Sequence, residues 1–206
     1  MFKRTAAHIL LLLLVITGLG SQVSNTTLSS KERHFLIKNL KETKTTFLGN
    51  IKGLTQEQLT FKPAPDKWSV KECIEHLSLA EKGLWNWAEG VLKQQASPER
   101  RKEIKVTDEQ ILAGVADRTK KAQAAENLQP QSAKWKTTKD AVEDFKKNRS
   151  SLIKYVKTTT EDMRNHTTES PAGVIDTYQV LLLISAHTSR HTQQIQEIKA
   201  SPGYPK

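Results

Sequence analysis

The sequence predicts an all-α protein: a four-helix bundle with a long crossover connection between its second and third helices, preceded by a signal peptide. Three observations carry that expectation. Four long segments repeat apolar residues at steps of three and four, the period of a helix with one buried face. Two of them open on Ser-x-x-Glu, the spacing at which a hydroxyl and a carboxylate satisfy amides that lack partners inside the helix. No segment alternates polar and apolar residues as a half-buried strand does.

Along the chain, Met1-Phe2-Lys3-Arg4 and the apolar run Ile9 to Ile16, followed by Gly18, Gly20 and Ser21, have the plan of a secretory signal peptide over residues 1–21. The run falls short of the roughly 20 apolar residues of a spanning helix, so an uncleaved anchor is the alternative reading. Cleavage near Gly20 or Ser21 leaves an exported chain with no stable membrane span. The first helix is expected from about Ser29 to Asn50, with Ser29 and Glu32 as its cap and Leu36, Leu40, Phe47 and Ile51 on its inner side. Lys62-Pro63-Ala64-Pro65-Asp66 cannot be regular helix. The second helix opens on Ser69 and Glu72, with Val70, Ile74, Leu77, Leu84, Ala88 and Val91 inward. From Gln94 to Thr137 the chain is mostly polar, with one short helical piece near Asp108 to Asp117. That is longer than antiparallel neighbours require and suits a crossover, which makes helices two and three parallel. The third helix starts near Thr137, with Val142, Phe145, Leu152 and Val156 inward; a loop spans Glu161 to Gly173; the fourth helix runs from Val174 to Lys199. The bundle domain is thus expected over 29–199, with a short tail at 200–206.

Of 206 residues only Cys73 is a cysteine, so no disulfide can form within the chain, and its place on a helical stripe reads as a small core residue. The net charge is +10, or +8 without Lys3 and Arg4. Lysines alternate with glutamates along the helices, which describes solvated faces and not a nucleic-acid surface. Exposed helix faces leave room for a homodimer.

The six histidines are the informative residues. His8 falls in the leader and His34 on an exposed helix start. On the fourth helix the inward stripe reads Val180, Leu181, Ile184, His187, Thr188, His191, Ile195, Ile198. Two imidazoles one turn apart on an apolar face must find hydrogen bonds or a metal. In the second helix His76 flanks the apolar stripe, with Gly83 leaving room beside it. If these helices pack together, His76, His187 and His191 form a three-nitrogen site for a divalent metal. The alternative is three core histidines bonded to carbonyls or water. His187-Thr188-Ser189-Arg190-His191 lacks the glutamate of HExxH, which excludes a zincin protease.

Leu59-Thr60-Phe61-Lys62-Pro63, then Trp68-Ser69-x-x-Glu72-x-x-x-His76-Leu77, then His187-x-x-x-His191 followed by Gln193, Gln194 and Ile195, resemble the DinB-like, or YfiT-like, four-helix-bundle metalloenzymes over about Ser29 to Lys199. The resemblance implies a crossover bundle and a divalent ion, zinc or nickel, on His76, His187 and His191. It offers His166 as a pocket-rim residue. It also implies a small-molecule substrate and a metal-dependent reaction, thiol transfer or hydrolysis, with a non-catalytic metal- or ligand-binding module as the alternative. Glu81 and Arg190 stand near the site as helpers, or as members of ion pairs. Trp68, Trp85, Trp87 and Trp135 read as packing residues, with Trp87 able to line a pocket.

Overall fold

A computed structural model describes residues 27–120 and 123–206. The leader expected at 1–21 lies outside the described residues. Eight elements organise the rest: α1 (Ser30–Ile51), α2 (Gln56–Thr60), α3 (Val70–Leu92), α4 (Asp108–Ala116), α5 (Thr138–Thr158), β1 (Thr167–Ser170), β2 (Gly173–Asp176) and α6 (Thr177–Lys199). Three 3-10 turns, at Pro98–Glu103, Glu126–Leu128 and Pro130–Ser132, punctuate the crossover.

The caps fall where the sequence places them. Ser29 with Glu32, Ser69 with Glu72, and Thr137 with Asp140 each form a reciprocal capping box. α1, α3, α5 and α6 are the four long helices of the bundle. α6 packs against α1, α3 and α4, and α5 packs against α1 and α3. Two apolar clusters fix the helix directions. One joins Leu36 and Leu40 of early α1 to Ala88 of late α3, Leu152 and Val156 of late α5, and Leu181 and Ile184 of early α6. The other joins Phe47 of late α1 to Val70 and Ile74 of early α3, Phe145 of early α5, and Ile195 and Ile198 of late α6. α3 and α5 therefore run parallel to one another and antiparallel to α1 and α6. That is the outcome a crossover between the second and third long helices requires.

Two expectations are corrected. The segment before the last helix is an antiparallel hairpin, with Thr167 opposite Asp176 and Ser170 opposite Gly173. Val174 to Asp176 are thus strand, and α6 begins at Thr177 with Asp176 as its cap. Thr167 and Thr168 suit a strand, and Gly173 takes the left-handed φ of 93° that the Pro171-Ala172-Gly173 turn needs. The second correction is on α5, where Val142 is only half-buried while Ala141 and Arg149 face the core.

Between the apolar clusters the bundle carries a polar belt. Arg149, fully buried, is clamped to Glu81 of α3 by Nε–Oε1 and Nη2–Oε2 contacts of 2.6 and 2.7 Å. It also donates to the Leu40 carbonyl, to Thr43 and to Thr188. One guanidinium thus ties together all four long helices. At the end of the bundle where α1 starts, Arg164 bonds Glu32, Asp108 and Asp176 at 2.7–2.9 Å and lies 3.9 Å over the Tyr178 ring, which holds the hairpin, α1 and α4 around the start of α6. No described helix is long and apolar enough to cross a membrane.

Candidate metal centre

His76 sits two turns into α3, and His187 and His191 sit one turn apart on the middle of α6. Because α3 and α6 pack side by side, the three rings converge. Their centroids are 5.0 Å (His76–His187), 4.4 Å (His76–His191) and 4.6 Å (His187–His191) apart. One nitrogen from each lies within 4.8 Å of the other two, the one such donor set among the described residues. His76 and the α6 pair thus share one level of the bundle, the step that sequence alone left open.

The outer nitrogens are held from behind. His76 Nδ1 is 2.7 Å from the carbonyl oxygen of Leu128, and His191 Nδ1 is 2.8 Å from Gln194 Oε1. Both partners accept, so each Nδ1 carries the hydrogen and each Nε2 presents a lone pair inward. The bonds to protein acceptors expected of core histidines therefore exist for His76 and His191, on the outward nitrogen of each ring. His76 Nε2 and His187 Nε2 stand 3.2 Å apart. Two imidazole nitrogens on one zinc ion, at about 2.0–2.1 Å each and tetrahedrally disposed, would be separated by about 3.3–3.4 Å. Neutral nitrogen donors on a soft-to-borderline cation fit, and the His76–His187 pair already stands close to that separation.

The electrostatics favour the neutral form that a metal requires. Burial pushes the His187 imidazole down to about 3, reinforced by His76 and Arg190. Burial likewise lowers His191, with His187 and His76 adding to it. His76 is lowered by burial against the opposing effect of its Leu128 bond. His187 keeps one edge on a cavity of about 480 Å³, while His76 and His191 are buried in its floor. Trp68 forms a wall, its indole stacked on His191 at 5.9 Å and 22° and lying 4.9 Å from His76.

Gly83 has a use different from the one its position suggests. A Cβ there would lie 3.2 Å from Leu128 Cδ2, so the space beside α3 is taken by the 3-10 turn of the crossover. That close approach brings the Leu128 carbonyl onto His76. Arg190 reaches back to the carbonyls of Val115, Asp117 and Lys120 at the end of α4, where the helix dipole favours a cation. Glu81 lies in the Arg149 clamp, away from the cavity. Neither Glu81 nor Arg190 is a free helper. His166 bonds the Asp162 carbonyl within its own loop and does not line the cavity, and Trp87 packs on the apolar cluster instead. Cys73 is fully buried, which pushes its thiol far up.

A profile described as the DinB superfamily matches residues 39–195, a span that includes all three histidines. The chain belongs to the DinB superfamily. The uncharacterized protein YuaE of Bacillus subtilis (strain 168) is 28% identical to it over 155 residues, 72% of this chain and 88% of YuaE. Among solved structures, YfiT from Bacillus subtilis is described as "a probable metal-dependent hydrolase with an unusual four-helix bundle topology". It superposes with a TM-score of 0.58 at 15% identity, covering 87% of this chain and 92% of YfiT, a likeness of fold.

Sequence reasoning gave no role to three residues that hold the site or the belt beside it. Arg149 occupies an inward position between Phe145 and Leu152, and a buried guanidinium demands a carboxylate, so Arg149 and Glu81 could have been paired from their stripes. Gln194, one turn past His191, is the spacing at which a side chain can reach back to a ring. Leu128 acts through its carbonyl and left no signal.

Proposed function

We propose that this DinB protein is an exported enzyme that holds one divalent ion on His76, His187 and His191 and hydrolyses a small molecule in the adjoining cavity. The observation that carries the reading is an open three-nitrogen set. Structural zinc sites are closed by four protein ligands, whereas catalytic ones keep a position for water or substrate. Here three imidazoles meet at the floor of a cavity, and no fourth protein donor joins them among the described residues.

When bound, the ion supplies Lewis-acid chemistry, acidifying a coordinated water and polarising a substrate oxygen. The chain's own contribution is positional. Leu128 and Gln194 hold the Nδ1 hydrogens of His76 and His191 and so aim both Nε2 atoms inward. Neutral ligands leave the whole charge of the ion to act on what enters. Trp68 closes one side of the site against water. The description of YfiT as a probable metal-dependent hydrolase supports hydrolysis over thiol transfer. A thiol would have to come from outside the chain, because Cys73 is sealed in the core. Export rests on the basic-apolar pattern of residues 1–21.

Protein prepared without a histidine tag should retain about one zinc or nickel ion per chain, and His187→Ala should retain none while unfolding cooperatively. Metal-dependent turnover of a panel of ester and amide substrates should vanish in the same variant. Full metal retention by His187→Ala would refute the site. Stable metal binding without turnover of any substrate would leave the non-catalytic module in its place. The mass of the secreted chain reads the export step, with loss of residues 1 to about 20 expected and an intact leader on cytosolic protein refuting it.

A further inference from the structure

Five charged side chains line the metal cavity: Lys67, Arg118, Lys120 and Arg190 against Asp66 alone. Three of the cations are already engaged. Lys67 lies 3.0 Å from Asp66, Arg118 lies 2.7 Å from Glu197, and Arg190 is spread over the carbonyls that end α4. Lys120 differs. Among the described residues its ammonium makes neither an ion pair nor a hydrogen bond; the Asp117 carboxylate, bonded to Thr119, feels it only as a more distant charge, and the residue is exposed at the cavity lining. Beneath it the three histidines bring no negative charge to offset a divalent ion. A cleft lined by one sign of charge concentrates the opposite sign. Trp68, Val115 and Ala124 add apolar and aromatic surface to the same lining.

We propose that the substrate is a small organic acid whose carboxylate pairs with Lys120 while its apolar part lies against Trp68. This rests on the metal-enzyme reading and adds the substrate class. Charge and geometry agree: Lys120 is the cavity cation whose head group no hydrogen bond or ion pair holds among the described residues, and a volume of about 480 Å³ admits a molecule of a dozen or so heavy atoms. Arg118 has a second part in the arrangement. Its Nη1 reaches Gln194 Oε1 at 3.5 Å, the same oxygen that holds His191, so the cationic rim and a histidine's second contact share one residue.

Isothermal titration of tag-free, zinc-loaded protein with benzoate and with benzyl alcohol reads the inference, because the two probes share a ring and differ in charge. Benzoate should bind at least tenfold tighter. Lys120→Gln should cut benzoate affinity about tenfold, leave benzyl alcohol unchanged, and leave the zinc stoichiometry at the wild-type value. Raising salt from 0.05 to 0.5 M should weaken benzoate alone. Metal-free protein should bind benzoate more weakly but with the same dependence on Lys120. Equal affinity for the two probes, or an unaltered benzoate isotherm in Lys120→Gln, would overturn the substrate class while leaving the metal site standing. Failure to retain zinc would overturn the metal reading, and the metal-free titration would still decide the anion.

Discussion

Replacing Glu81 by alanine should be among the most damaging single substitutions in this chain, although the residue touches neither cavity nor histidines. Glu81 and Arg149 are almost wholly buried, and two short contacts join carboxylate to guanidinium. Removing the carboxylate strands a positive charge in the polar belt, a loss of about 3–5 kcal/mol. In a domain of this size each kcal/mol moves the midpoint by about 2–4 °C, so the melt should fall by roughly 6–20 °C. Removing both charges is a different perturbation. Thr43 and Thr188 still donate to Asn39 and Ile184, and the Leu40 carbonyl lies within α1. Glu81→Leu with Arg149→Met therefore strands no charge and should be milder than either single change, since buried pairs replaced by apolar residues are often neutral. Thermal and urea unfolding of metal-free protein, followed by circular dichroism, measures the cycle. A Glu81→Ala loss below about 1 kcal/mol, or a double variant as unstable as the sum of its parts, would refute the clamp.

Acid should destabilise the metal-free protein early. Burial holds the folded imidazoles below their unfolded value near 6.5, and His187 is pushed to about 3. Below pH 6.5 the unfolded chain binds protons that the folded one refuses, so stability falls with pH by up to about 1.4 kcal/mol per unit for each such ring; a flat melting profile from pH 7 to 5 would contradict this. Gln194→Leu removes the acceptor behind His191 and should weaken zinc binding by about 10–100-fold with little change in the metal-free melt; unchanged affinity in a competition assay would show that Gln194 does not orient the ring. Gly83→Leu should weaken zinc similarly by displacing Leu128, even though leucine favours helix over glycine by about 1 kcal/mol; an unaffected zinc titration would mean that the Leu128 carbonyl is dispensable.

Much of this was legible from residue order because it depends on local chemistry. The capping boxes at Ser29 and Ser69 specify where α1 and α3 begin, and the stripe on α6 announces which face carries His187 and His191. The parallel arrangement of α3 and α5 followed from the length of chain between them. The hairpin did not follow, since eight strand residues around a Pro-Ala-Gly turn are too few for a period to emerge, and Val174 to Asp176 run directly into a helix. Gly83 was legible as a gap but not as the seat of a crossover that lies more than forty positions later. The contact between Leu128 and His76 uses a backbone atom, which every residue has, so no side chain advertises it.

X-ray absorption of the zinc-loaded, tag-free protein tests the centre most directly, because it counts the atoms around the ion. Three imidazoles on one zinc predict a first shell of nitrogen or oxygen at about 2.0–2.1 Å with strong outer-ring scattering from three histidines. Loss of one histidine's scattering in His76→Ala would complete the match. A shell containing one imidazole or none, or a spectrum indifferent to residue 76, would contradict it.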